Sequence, residues 1–209
     1  KNRYGEVYPC FADVANEVEA YINNSAYSDD TKGDYKGSLV TRLTSLTNGI
    51  NGLIFAADDL SDEELFEQNV IVDLSRAGNP DTKALIMGIL ILKLQEYRMA
   101  QADGSDAVLR HVTVLEEAHN LLKRTSTEQS SESANLVGKS VEMLANAIAE
   151  MRTYGEGFII ADQAPGLLDA SVIRNTNTKI IMRLPDEEDR KLVGKAANLS
   201  DDQIAELAK

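Results

Sequence analysis

The chain has 209 residues, of which 43% are hydrophobic, and this composition suits a compact protein with a substantial core. Its formal net charge of −13 excludes a broadly basic platform for nucleic acid, because a negative surface repels phosphate backbones. The sequence has no run of about 18 apolar residues, so it predicts no membrane span. Its single cysteine, Cys10, excludes an internal disulfide and favours a reducing, cytoplasmic location.

Residues 1–50 show the periodicity of helices. From residue 11 to residue 22, apolar side chains recur at helical spacing with Asp and Glu between them, and residues 38–50 repeat the pattern with leucines. The polar stretch 23–37 between these segments predicts a loop. We therefore predict an α-helical subdomain over residues 1–50, followed by an α/β domain over residues 51–209.

The pattern changes after residue 50, where short runs rich in Val and Ile alternate with helical stretches. Most of these runs are apolar on both faces, which is typical of buried parallel strands. Residues 83–100 predict a core helix, and residues 186–209 predict terminal helices with Ser200 as an N-cap. This alternation predicts an α/β fold with a mainly parallel sheet flanked by helices. The predicted strands span residues 52–57, 70–75, 112–117, 158–163 and 179–184.

The tripeptide GKS at residues 138–140 matches the end of the phosphate-binding P-loop pattern, G-x-x-x-x-G-K-[ST]. However, Ser133 occupies the position of the first glycine, and a polar stretch precedes it instead of a strand. Val141 and the apolar residues that follow it recur at spacings of three and four, which predicts a helix with Lys139 on its polar face. The sequence therefore contains no convincing phosphate-binding loop.

Polar side chains follow the predicted strands at the point where each strand ends. In an open parallel sheet, ligands bind at this carboxyl edge. Each side chain alone is weak evidence, because strands must end in polar residues somewhere. The side chains that we expect at the edge are Asp73, Ser75, Glu116, Glu117, Asp162, Gln163 and Arg183.

The adjacent acids Glu116 and Glu117 are the most specific members of this set. An apolar strand that ends in two acids is the Walker B arrangement. The first acid binds Mg²⁺, directly or through water, and the second polarises the attacking water as a general base. The alternative interpretation is a pair of surface acids that stabilise the N-terminus of the next helix.

The segment HVTVLEEAHNLL, residues 111–122, resembles the Walker B motif of the HerA/FtsK superfamily of hexameric ATPases, and of its HerA-like branch in particular. Residues 69–98 resemble the strand and long helix that precede this motif. Residues 148–184 resemble the later stretch with an Arg-x-x-Gly step, a sensor strand ending in Gln and an Asn-Thr strand. The resemblance extends over roughly residues 50–195, and the order of its parts is more specific than any single motif.

The resemblance implies a RecA-like P-loop NTPase core, in which residues 1–50 form the α-helical insertion that such proteins carry between their two Walker motifs. We therefore expect the P-loop and its strand to lie upstream of this chain, so that the chain is a fragment that is inactive alone. The chain departs from the family at Glu116, where the first Walker B acid is usually Asp. The longer side chain changes the geometry toward Mg²⁺.

The resemblance also implies roles for side chains outside Walker B. Gln163 would sense the γ-phosphate or orient water, and the alternative is an amide that satisfies the following turn. Arg152 resembles the arginine that such rings present to a neighbour's nucleotide, and the alternative is a helix C-terminal arginine that interacts with the dipole. Arg183 is either a second sensor or an ion-pair partner of Asp186 or Glu187.

The implied function is ATP-driven DNA translocation or helicase activity, with ATP and Mg²⁺ as cofactors, six copies in a ring and a nuclease as a candidate partner. Asp73 and Arg183 are the additional candidates for nucleotide binding. His119 has no partner at metal-ligand spacing, so we interpret it as a side chain that packs against its neighbours or begins a helix. Two alternatives stay open: the motor of a conjugative or type IV secretion apparatus, and a non-catalytic interaction module with a decayed site, which the glutamate at position 116 favours.

Overall fold

The computed structural model describes residues 9–56, 60–102, 104, 107–124 and 132–209, with the backbone alone described at residues 50 and 132–137. The chain has two compact units. The first comprises Lys1–Ser61 and Val72–Gly78, and the second comprises Asp62–Ile71 and Asn79–Lys209.

Helices account for most of residues 9–56 in the first unit, as the periodicity before residue 50 predicts, whereas its segment Val72–Gly78 is not helical. The predicted loop over residues 23–37 is wrong in part, because a helix occupies Asp29–Tyr35. Ser28 caps that helix by accepting a hydrogen bond from the Thr31 amide, and two aspartates in its first turn favour the positive end of the helix dipole. The helices are α1 (Phe11–Asn24), α2 (Asp29–Tyr35), α3 (Thr41–Ser45) and α4 (Gly49–Ile54), and a π-helical turn (Lys36–Val40) joins α2 to α3.

The strand predicted over residues 52–57 is wrong where the structure describes it, because Gly49–Ile54 forms helix α4. The backbone bonds are local: the amide of Gly52 donates to the carbonyl of Asn48 and that of Phe55 to Asn51. A short apolar run fits a helix turn as well as a strand, so hydrophobicity alone could not decide between the two. Residue 57 lies outside the described residues.

The helices over residues 80–100, 132–151, 187–196 and 201–206 of the second unit agree with the sequence patterns, whereas those over residues 62–66 and 170–175 were not predicted. Asn79 caps the longest one with its side-chain oxygen, which accepts from the Thr82 amide at 2.8 Å, and Pro80 occupies the first turn. The capping box at Ser200 confirms the predicted N-cap. The helices are α5 (Asp62–Phe66), α6 (Pro80–Ala100), α7 (Glu132–Met151), α8 (Ala170–Asn175), α9 (Glu187–Ala196) and α10 (Asp201–Glu206).

Two parallel strands, β1 (His111–Glu116) and β2 (Glu156–Ala161), form the sheet of the second unit. The register runs from His111 opposite Glu156 to Glu116 opposite Ala161, so both strands start and end together. These strands confirm the predictions at residues 112–117 and 158–163, shifted by one or two positions. The mixed α/β class and the parallel pairing are therefore as the sequence predicts.

The strands predicted over residues 70–75 and 179–184 are wrong, because neither segment forms a strand. Residues from Leu74 onward form a turn, in which the Ala77 amide donates to the Leu74 carbonyl. At the second segment, the Leu184 amide donates to the carbonyl of Leu207 near the C-terminus. A strand requires a neighbouring strand for its backbone groups, and the described sheet gives these segments none.

The two faces of the sheet have different environments. Leu115 is buried, and Phe158 and Ile160 pack against the core cluster, so one face is covered. Val114 and Ile159, which are opposite each other in the register, are exposed on the other face. Parallel sheets usually have both faces covered. The core cluster includes Phe66, Ile91, Leu94, Leu115, Ala118, Leu122, Leu144, Met151, Leu168 and Ile173.

A buried polar cluster lies where both strands begin. Glu156, the first residue of β2, is almost completely buried, and its Oε1 accepts a hydrogen bond from Thr113 at 2.7 Å. The same oxygen lies 2.8 Å from Nδ1 of His111. Arg98 of α6 is also buried and donates to Glu67 and to the Phe66 carbonyl. Hydrogen-bonded partners of this kind are what permit charges in a protein interior.

Among the described helices, none is long and apolar enough to cross a membrane.

Candidate functional site at the carboxyl edge of the sheet

Glu116 and Glu117 lie at the carboxyl end of β1. Glu116 is the last strand residue, and it is exposed on the same face as Val114. Glu117 follows with φ 50° and ψ 45°, a left-handed conformation that is uncommon for residues other than glycine. The next residue, Ala118, is completely buried and begins a short 3-10 turn. The chain therefore leaves the strand through a left-handed residue at Glu117, and strained backbone of this kind is concentrated at functional sites.

Gln163 contacts Glu117 across the two strand ends. Its side-chain amide Nε2 donates to Glu117 Oε1 at 3.2 Å. The contact follows from the register, because β1 and β2 end opposite each other and each polar residue lies just beyond its strand. The candidate general base and the candidate sensor are thus neighbours.

Asp162 and His119 form a second, more buried contact beside this pair. The Asp162 side chain is only 3% exposed, and its Oδ2 accepts from the His119 backbone amide at 2.9 Å and lies 2.9 Å from the ring Nδ1. Its other oxygen accepts from the Ala164 amide at 2.9 Å. The ring Nε2 lies 3.7 Å from Glu117 Oε2. Asp162 was expected at this edge, whereas His119 was expected only to pack or to start a helix.

Arg152 does not join this group within one chain. It begins the 3-10 turn Arg152–Tyr154, which precedes β2. A strand of six residues separates it from Gln163, and at about 3.3 Å per residue this corresponds to roughly 20 Å. Arg152 therefore lies at the amino edge of the sheet, opposite the paired acids.

Arg183 is held by the C-terminal segment. Its Nε donates to the Ala208 carbonyl at 3.0 Å. The two carboxylates that sequence reasoning offered as partners have other contacts, since Asp186 accepts from the Asp189 amide at 2.9 Å and Glu187 pairs with Lys191 at 2.6 Å. The exposed guanidinium is thus fixed near residue 208.

Asp73 belongs to the first unit, whereas the other candidate side chains belong to the second. Its Oδ1 accepts from the Ser75 amide at 2.8 Å, which forms an Asx-turn. This local bond accounts for an aspartate at the start of the turn. Its role in nucleotide binding stays a prediction.

Glu116 is the candidate for Mg²⁺ coordination. Within the described ranges, no group of three or more His, Cys, Asp or Glu side chains is arranged to hold a metal ion. Mg²⁺ usually keeps several waters and binds one or two carboxylates together with substrate phosphates. The exposed Glu116 carboxylate at a strand end fits that mode of binding.

The GKS tripeptide lies inside helix α7, which confirms its predicted helical structure.

The fold and site together define an α/β protein with paired acids at the carboxyl edge of a parallel sheet. Comparison with known proteins gives a more particular similarity. The chain is 23% identical over 185 residues, 86% of its length and 35% of the relative's, to the DNA double-strand break repair helicase HerA of Sulfurisphaera tokodaii. It is 32% identical over 92 residues, 44% of its length and 17% of the relative's, to the protein of the same name from Sulfolobus acidocaldarius.

These similarities support a distant, HerA-like relationship. The chain spans about a third, or less, of the length of the curated relatives that it matches. No family model matches the sequence.

Proposed function

We propose that the chain is part of a HerA-like ATPase that acts on DNA, with Glu117 as the general base of ATP hydrolysis. The observation that carries this proposal is the Glu117 carboxylate at the carboxyl edge of the sheet, on a left-handed residue, with Gln163 donating to it at 3.2 Å. This edge is where open parallel sheets bind ligands. The similarity to two HerA helicases supports the DNA-related assignment.

In this mechanism Glu117 Oε2 or Oε1 accepts a proton from the attacking water, and the Gln163 amide orients the carboxylate or the water. Glu116 would hold a hydrated Mg²⁺, which when bound neutralises charge on the phosphate oxygens. The carboxylate of Glu117 is about half exposed, so water and nucleotide can reach it. Positioning and electrostatics supply most of the rate in phosphoryl transfer, and both act here through side chains on a rigid sheet edge.

We further propose that the phosphate-binding loop comes from a part of the protein outside these 209 residues. Support comes from the helical structure around Lys139 and from the limited span of the match to the HerA relatives. The 209-residue chain alone is then expected to bind ATP weakly. Isothermal titration calorimetry that gave micromolar affinity for this chain would contradict this part of the proposal.

The active assembly is proposed to be a ring of six copies on DNA, with a nuclease as a partner. The position of Arg152 at the opposite edge from Glu117 favours an arginine that serves a neighbouring subunit's nucleotide instead of its own. The negative overall charge means that contacts to DNA would come from local basic side chains lining a channel.

The substitution Glu117→Gln in the full-length protein tests the proposal. We expect ATP hydrolysis to fall by about 10²–10⁴-fold, the usual contribution of a general base, while nucleotide binding is retained. Glu188→Gln is the matched control. The Glu188 carboxylate is exposed on α9, and the substitution removes the same charge. Hydrolysis by the Glu117→Gln protein at the rate of the control would overturn the assignment.

A further inference from the structure

The main chain and the side chain of His119 are both held by Asp162. One oxygen of Asp162 accepts from the backbone amide of His119 and contacts its ring Nδ1, both at 2.9 Å. Two contacts to one carboxylate oxygen fix both the main chain and the ring. Asp162 is itself fixed, because its side chain is 3% exposed and its second oxygen is bonded to the Ala164 amide.

The fixed ring is aimed at the candidate general base. With Nδ1 directed at Asp162, the far edge of the imidazole carries Nε2, which lies 3.7 Å from Glu117 Oε2. That distance is longer than a hydrogen bond, so the ring restricts the carboxylate sterically on this side. The other carboxylate oxygen of Glu117 accepts from Gln163. The carboxylate is therefore confined between an amide and an imidazole.

We infer that the Asp162–His119 pair is a positioning device for Glu117, an inference that rests on the proposed function. A half-exposed glutamate whose torsions are free samples many rotamers, and fixing such a side chain costs conformational entropy. Because Asp162 and His119 restrict the Glu117 side chain in the folded protein, less of this entropy is lost during catalysis. Errors of about 1 Å in the placement of a reacting group can lower rates by about 100-fold, so the confinement matters for catalysis.

The side chains around Glu117 come from the ends of both strands. Glu117 and His119 follow β1, whereas Asp162 and Gln163 follow β2. Any shift of one strand end against the other would change both contacts to Glu117 together. The two strand ends thus act as one positioning unit.

His119→Asn in the full-length protein separates the two contacts of the ring. The asparagine amide can still donate to Asp162 at the position of Nδ1, but it lacks the edge that faces Glu117. We expect kcat for ATP hydrolysis to fall about 10-fold, with KM for ATP and the thermal unfolding midpoint unchanged. A decrease in the unfolding midpoint with an unchanged kcat would show a purely structural histidine and would overturn the inference.

A second background makes the test specific for Glu117. In Glu117→Asp the carboxylate is retracted by one methylene and leaves the confined position, so His119→Asn should lower kcat much less there than in the parent protein. Equal losses in the two backgrounds would overturn the inference. If Glu117→Gln itself hydrolyses ATP normally, the proposed function fails. If Glu117→Gln is inactive and His119→Asn is normal, the positioning role alone fails.

Discussion

Arg98 and Glu156 form a buried ion pair, in which the guanidinium Nε lies 2.8 Å from Glu156 Oε2 and the two side chains are 4% and 0% exposed. The pair connects helix α6 to the first residue of β2. It lies at the amino edge of the sheet, away from the candidate site at the carboxyl edge. Stability and catalysis can therefore be tested by substitutions at opposite ends of the same strands.

Glu156→Gln is expected to destabilise the chain by about 3 kcal/mol or more, because it leaves the Arg98 guanidinium buried beside a neutral amide. Urea unfolding followed by circular dichroism measures the change. Glu67→Gln is the matched control, since it removes a carboxylate from the same arginine but from a side chain that is 48% exposed. Its cost should stay below about 1 kcal/mol. Similar costs for the two substitutions would show that burial of the pair is not what matters.

Stability should also fall in acid through Glu67. The hydrogen bond from Arg98 holds the pKa of Glu67 below its ordinary value of 4.5. A carboxyl with a lowered folded pKa contributes stability above its unfolded pKa and loses it as the pH falls through the folded value. The contribution is therefore complete above about pH 5 and decreases below about pH 4.5.

The measurement is the free energy of unfolding of the parent and of Glu67→Gln from about pH 6 down to about pH 3. The parent should lose more stability than the variant across this range. The same slope in both proteins would assign the acid sensitivity to other carboxylates. Because Glu67 is half exposed, solvent screening keeps the difference small.

Gly155 is expected to resist substitution at the start of β2. Its φ of +83° is in the left-handed region, and an added Cβ would lie 2.5 Å from the backbone oxygen of Val108. Gly155→Ala therefore combines backbone strain with a clash and should cost more than about 2 kcal/mol. Gly78→Ala is the control, because Gly78 has φ +64° but open space around its Cβ position. Thermal unfolding midpoints that decrease equally would mean that the loop at Val108 yields without cost.

Arg152 should act on a neighbouring subunit if the proposed ring forms. Full-length Arg152→Ala and Glu117→Gln proteins are each expected to hydrolyse ATP poorly. Mixed rings contain some interfaces with an intact arginine from one subunit and an intact glutamate from the next, so mixing should restore part of the activity. The ATPase rate of mixtures against mixing ratio measures this. A wild-type rate for Arg152→Ala alone would exclude the role.

The sequence predicted the parts of the fold that local patterns specify. Helix α6 and strands β1 and β2 lie close to where the apolar runs predict them, and the paired acids lie at a strand end as expected. The loop predicted over residues 23–37 contains helix α2, and the errors in predicted strands occurred at short apolar runs. Residues 52–54 belong to helix α4, whose backbone bonds are local, and residues 70–75 and 179–184 have no neighbouring strand in the described sheet.

The sequence could not predict the contacts between distant residues that complete the site. His119 and Asp162 are 43 positions apart, and nothing in either segment specifies the pairing until the strand register is known. Arg98 and Glu156 look like ordinary surface charges in the sequence, because burial of a charge depends on what packs over it. By contrast, the spacing of apolar residues around the GKS tripeptide was enough to predict a helix there, and Lys139 lies in α7.

The uncovered face of the sheet has a consequence for handling the purified chain. Val114 and Ile159 present neighbouring apolar side chains to water on adjacent strands, and Val112 extends the same row. Contact between such apolar surfaces is favourable by about 25 cal/mol for each Å² that is removed from water. Concentrated solutions of these 209 residues alone should therefore scatter light increasingly with time, and mild detergent should suppress that turbidity.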